Sequence, residues 1–308
     1  HMLQALNFPS KIRSRNIIKK ERFKKDRIQF VLIEIAIADT YGAGFEFSPK
    51  EKIQQYNNLE RYLPHELYQF VGKYTDDTQM SIAIAELVLS GSDWSSSQIA
   101  AKFVECFKRD ERKGYSKGFY ELLKSVNSAD ELLSIIRPDS ERNGAAMRAA
   151  PLGFIKEKDK LIIAAINQAK VTHDTDIAIK SSIAVALAAH FGIFLNGSIS
   201  DLQSYLIDTG YGDWDYSWNK EVSVGAYDSV SAALTCLCEC RSFTDLLKMS
   251  VDLGGDTDSV ASIAAGIAAC FKEYDMTIPE SLIQGFDEKE FGIQFLNNID
   301  LQLFKMAA

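Results

Sequence analysis

The chain has 308 residues, 46% of them hydrophobic and 25% charged, with 18 Gly and 6 Pro. These values exclude a disordered, collagenous or low-complexity chain, and the length is ample for a large core. The net charge is −8: residues 1–30 hold nine Lys/Arg against two acids, a net +7, which leaves −15 on the other 278 residues. An acidic body argues against general nucleic-acid binding, and the basic stretch 1–28 reads as an extension that meets an anionic partner or folds back on that body. It has no apolar run of the signal-peptide kind, and His1-Met2 reads as a cloning remnant. The longest apolar stretch, 183–195, contains His190 and falls short of the roughly 18 residues expected of a membrane span. Five cysteines, three of them as Cys236, Cys238 and Cys240, lack the second pair that a zinc site needs. They read as buried thiols of a reducing compartment, so the expected location is cytoplasmic.

In chain order, Ile28, Val31, Leu32 and Ile35 repeat at helical spacing and predict a first helix that closes near Ala38. The segments 78–89, 177–195 and 258–271 are apolar nearly all round and rich in Ala, which predicts central buried helices. Amphipathic helices are expected at 97–108, 118–126, 129–136, 158–169, 228–240 and 242–252. Polar or Gly-containing breaks fall near 41–49, 72–77, 110–118, 137–146, 170–176, 208–226 and 253–257, and none reads as an interdomain linker. No run of alternating β-branched residues argues for a strand, and no repeat of 20–50 residues is visible. The expected architecture is one compact all-α domain over 29–308.

The chemistry is concentrated at helix starts. Thr75-Asp76-Asp77-Thr78 precedes one apolar helix, and Gly254-Gly255-Asp256-Thr257-Asp258-Ser259 precedes another. Capping explains one acceptor at each start. Several carboxylates crowded together repel when desolvated, and cations relieve that repulsion. Few histidines and many oxygens favour Mg²⁺, Mn²⁺ or Ca²⁺ over zinc or copper. Asp174-Thr175-Asp176 also reads Asp-x-Asp before a helix, and neither it nor 256–258 follows the strand that a sugar-nucleotide transferase or a haloacid-dehalogenase phosphatase would place there. Asp39 and Glu46 flank a Gly-containing turn and reach one cleft from a helix end and a loop. The turns around Gly114-Tyr115-Ser116 and Asn143-Gly144 expose backbone N–H groups suited to phosphate. Neither a Walker A nor a G-x-G-x-x-G motif accompanies them.

Taken in order, these segments resemble the ADP-ribosylglycohydrolase family. The resemblance runs from about residue 30 to 285 and rests on Asp39-x-x-Gly42-x-x-x-Glu46, Thr75-Asp76-Asp77-Thr78, Gly114-Tyr115, Asn143-Gly144-x-x-Met147-Arg148-x-x-Pro151-Leu152-Gly153, Thr172-His173 and 254–259. It implies an orthogonal all-α fold around two divalent cations, Mg²⁺ or Mn²⁺, and hydrolysis of the bond between ADP-ribose and an acceptor, ADP-ribosylarginine on protein being the first expectation. By the same resemblance, Thr75, Asp76 and Asp77 form half of the metal cage, and Asp256, Asp258 and Ser259 the other half. Glu46, then Asp258, are the candidate catalytic acids. Asp39, Gly114, Tyr115, Ser116, Asn143, Gly144 and His173 are candidate substrate-binding residues. Ala38 and Thr40 stand where the family has a Gly and a small residue, and Ser259 where Thr is commoner. The alternative is an immunity protein that blocks an ADP-ribosyltransferase toxin through its N-terminal extension. No membrane partner is expected.

Overall fold

Apolar positions at helical spacing become helices throughout residues 30–308, the part of the chain that the computed structural model describes. The basic extension 1–28, with its expected blocking role, lies outside the described residues. Among those residues there are fifteen α-helices, one 3-10 turn and no strand. The expectation of an all-α fold is met.

Helix α1 (Leu32–Ala43) buries every one of its residues, and α13 (Thr257–Ala268) does the same. The two form the most extensive helix pair among the described residues. They pack with α3 (Asp76–Ser90), a 3-10 turn at Ala150–Phe154 and α9 (Asp176–Phe194). Such all-round burial places their apolar residues in the core, and their alanines let backbones come close. Around this centre lie α2 (Lys50–Tyr56), α4 (Ser96–Arg109), α5 (Lys117–Ser125), α6 (Ala129–Ile135), the single turn α7 (Gly144–Met147), α8 (Lys158–Lys170), α10 (Ile199–Asp208), α11 (Ala226–Glu239), α12 (Phe243–Asp252), α14 (Glu280–Gly285) and α15 (Ile293–Ala307).

Helix starts are satisfied in two ways. Ser95, Ser128 and Ser242 cap their own helices, accepting from Gln98, Glu131 and Asp245 backbone N–H groups at 3.4, 3.2 and 3.2 Å. Helix α1 has no side-chain cap of its own. Asp300, from α15, accepts instead from Leu32 N and Ile33 N at 2.9 and 3.3 Å. Burial pushes its carboxyl up to about 7.

Two expectations need correction. The apolar stretch does not stop short of a membrane-spanning length: α9 has 19 residues and a mean hydropathy of 1.8, enough to cross a bilayer by length and composition. Burial of 72% of that window inside the protein accounts for its apolarity. Helices α2, α7, α10, α14 and α15 fall where none was expected. The cysteines are mostly buried, as expected: all five are free thiols, and only Cys238 is partly exposed.

Candidate active site

The C-terminus of α1 and the N-termini of α3, α7 and α13 converge on one cavity of about 920 Å³. Gly42 makes the approach possible, because a Cβ there would collide with the backbone of Thr257 and Asp258. Thr257 Oγ1 donates to Gly42 O at 2.8 Å and ties the two ends together.

Asp39 is fully buried behind the cavity wall. Its carboxylate accepts from Thr75 N and Oγ1 at 2.9 and 2.8 Å, and from Thr78 N and Oγ1 at 3.1 and 2.6 Å. It therefore caps α3 from a distance and is placed to anchor 75–78. The expectation that it faces substrate is corrected, since both its oxygens are engaged with α3. Burial raises it to about 6 even against those four bonds. Thr75 is likewise buried, its hydroxyl proton committed to Asp39.

Asp76 and Asp77 line the cavity from α3, opposite Asp256, Asp258 and Ser259 from the start of α13. Burial is the first reason that all four aspartates sit above the usual carboxylate range. Next come Asp39 for Asp76, Asp76 for Asp77, and Glu46 for Asp258. Asp77 also feels Asp256, so the two halves of the expected cage stand together. Asn143 donates its amide to Asp256 Oδ2 at 2.7 Å and to Ser229 Oγ at 2.9 Å, which orients Asp256. Oxygens of Glu46, Asp256 and Asp258 lie within 4.8 Å of one another. Asp77 Oδ1 is buried without a hydrogen-bond partner. An orphaned carboxylate oxygen among crowded acids, in an all-oxygen donor set, fits a hard divalent cation.

The rest of the cavity lining has a different character. Gly114 lines it at φ +111°, where a side chain would be strained and would strike the Asp76 carboxylate. Tyr115 is among the lining residues but almost fully buried, and its hydroxyl donates to Gln79 Oε1 at 2.7 Å. Ser116 begins α5, and its hydroxyl makes no capping bond. Gly144 and His173 meet on the same wall. Burial, then Arg148 and Arg142, hold the His173 imidazole down to about 3. Lys117, Arg137 and Arg142 add positive charge. The cavity lining thus carries both crowded acids and basic side chains.

Four further residues, Arg148, Thr172, Gln168 and His65, take part that sequence reasoning did not assign. Arg148, itself buried, donates to Gln168 O and Thr172 Oγ1 at 2.9 and 2.8 Å, and the Thr172 hydroxyl meets His173 Nδ1 at 2.6 Å. Gln168 completes that support. His65 bonds Glu46 Oε2 through Nε2 at 2.8 Å. No spacing signal joins His65 to Glu46, because both lie in irregular backbone.

Similarity to known proteins agrees with this architecture. An ADP-ribosylhydrolase of Homo sapiens is 26% identical, with 73% of this chain and 78% of that protein aligned. A protein named ADP-ribosylarginine hydrolase, from Serratia proteamaculans, is 23% identical over 92% of this chain and 80% of its own length. A solved ADP-ribosylglycohydrolase-related protein superposes with a TM-score of 0.73 at 21% identity, covering 94% of this chain and all of that one, which shows a shared fold. The family model for ADP-ribosylglycohydrolases matches residues 20–306, and with that span the chain belongs to the ADP-ribosylglycohydrolase family.

Proposed function

We propose that this protein removes ADP-ribose from a modified protein side chain, the arginine linkage first, with two divalent cations, Mg²⁺ or Mn²⁺, as cofactors. The carrying observation is the convergence of Glu46, Asp76, Asp77, Asp256 and Asp258 on one cavity in a chain of this family. The Serratia relative's name supports the arginine linkage.

Thr75, Asp76, Asp77, Asp256, Asp258 and Ser259 would hold the cations, with Asp39 and Asn143 fixing the two halves. Bound there, divalent cations supply charge that orients the ribose hydroxyls and polarises water. Glu46 takes the proton of a water that attacks the anomeric carbon, and Asp258 is the second candidate for that task. The new C–O bond replaces the C–N bond, and the acceptor leaves with the proton that Glu46 returns. The surrounding carboxylates stabilise the positive charge that develops on the sugar. Ser116 and the N-terminus of α5, with Gly114, Asn143, Gly144 and His173, receive the diphosphate and distal parts. Tyr115 backs that part of the wall, its ring held against Phe107 and Phe119.

The test is mass spectrometry of an arginine-ADP-ribosylated protein after incubation with the enzyme. The expected result is release with Mg²⁺ or Mn²⁺ and none in chelator. Release only from a serine or nucleobase linkage replaces the acceptor. No release from any linkage removes the reading.

A further inference from the structure

Glu46 sits just beyond α1, in a turn with no helix to hold its side chain. Phe47, the next residue, has φ +48°, a left-handed conformation that a bulky residue adopts at a cost, and its N–H is pinned to Gly255 O at 2.8 Å. The backbone at Glu46 is thereby tied to the turn that carries Asp256. The carboxylate is tied by one group among the described residues, the His65 ring, at 2.8 Å. His65 is 2% exposed, which is unusual for a partner of a surface acid. Its Nδ1 accepts from Leu67 N at 3.1 Å and Tyr68 N at 3.4 Å, so Nε2 carries the hydrogen and donates to Glu46 Oε2. The ring packs against both Tyr68 and Phe70, at centroid distances of 4.8 and 5.1 Å. Its own backbone closes a turn, with His65 N donating to Phe70 O at 3.0 Å and Gln69 N to His65 O at 2.9 Å.

We propose that His65 is a positioning residue for the reaction, holding one Glu46 oxygen so that the other is presented to the reacting centre. This rests on the reading of Glu46 as the acid that handles the proton. A glutamate has three side-chain torsions, and fixing one oxygen removes most of the orientations that do not face the anomeric carbon. The backbone donors on Nδ1 fix the ring in turn, so the whole arrangement is set before substrate arrives. An incidental surface pair would have neither the burial nor the directed tautomer.

The experiment is steady-state kinetics of the metal-loaded enzyme on an arginine-ADP-ribosylated protein, with thermal melts of every variant. His65→Phe keeps a ring but removes the donor. It is expected to lower kcat by about 10- to 100-fold with KM within about twofold. His65→Gln, whose amide N–H reaches a similar point, is expected to recover most of that loss. In a Glu46→Gln background, His65→Phe is expected to cost less than about twofold, because the two act as one unit. Should His65→Phe fail to fold, His65→Asn against His65→Gln makes the same comparison, the shorter amide losing kcat and the longer one keeping it. Wild-type kcat in His65→Phe, a change in KM alone, or equal losses in both backgrounds would overturn the proposal. A Glu46→Gln enzyme with full kcat would instead remove the reading of Glu46 itself.

Discussion

The sequence Asp-Thr-Asp opens a helix twice in this chain, at 174–176 before α9 and at 256–258 before α13, and the two copies meet opposite fates. Asp174 and Asp176 are exposed, and Thr175 merely donates to Ser140 O at 3.0 Å. Asp256 and Asp258 are each 4% exposed, and Thr257 is locked onto Gly42. Both helices that follow are apolar, so the helix does not decide the difference. The facing elements do. The second copy meets the end of α1, with Glu46 just beyond, and the start of α3 with Asp76 and Asp77. Water relieves the first copy, whereas the second crowds charge without relief.

Substitution of the acids gives the widest separation between the copies. Asp256→Ala or Asp258→Ala is expected to lower kcat on ADP-ribosylated protein by on the order of 10²-fold or more. Asp174→Ala and Asp176→Ala are expected to stay within about twofold of the parent. Comparable losses at both triplets would erase the distinction.

A smaller but still large effect is expected from Gly114→Ala. Its φ of +111° and its contact with Asp76 make the methyl group push on the carboxylate facing α13. The backbone strain alone costs about 1–3 kcal/mol. Chemical denaturation measures that loss, and kinetics should show kcat falling with it.

The pH dependence of stability follows from the raised carboxyls. In metal-free protein Asp39 titrates near 6 against an ordinary 3.8. Between those values the folded state binds more protons than the unfolded state, so stability falls as pH rises through the window. Asp76, Asp77, Asp256 and Asp258 extend the fall in the same direction. Asp300, near 7 and outside the cavity wall, adds a slope that cations leave in place. Thermal melts from pH 4 to 8 in chelator are expected to show the decline, and Mn²⁺ to reverse most of it. The 174–176 copy should leave no mark on either curve.

The smallest effect concerns ordinary capping. Ser128→Ala is expected to cost about 1 kcal/mol of stability by denaturant titration and to leave kcat unchanged. A drop in kcat would mean that a plain helix start also serves the site.

Many helices were legible because their apolar residues recur at helical spacing: α4, α5, α6, α8, α11 and α12 lie within a residue or two of their expected bounds. Helix α15 was missed although Leu296, Ile299 and Leu303 share a buried face, a signal present but not read. Helix α2 has one buried residue, Ile53, and offered almost none. The two acidic helix starts were legible because their charge exceeds what a cap requires. The tasks of Asp39 and His65 were not, since each is defined by a partner 36 or 19 residues away. Spacing along a chain reports a shared helix face; it carries nothing about which loops meet.

The central claim is that the buried acids of α3 and α13 form one cation site. Isothermal titration of the chelator-treated protein with Mn²⁺ tests it most directly, beside Asp76→Ala, Asp256→Ala and Asp174→Ala. The account predicts two bound ions in the parent and in Asp174→Ala, and loss of binding in each of the other two variants. Undiminished binding in both Asp76→Ala and Asp256→Ala would contradict it.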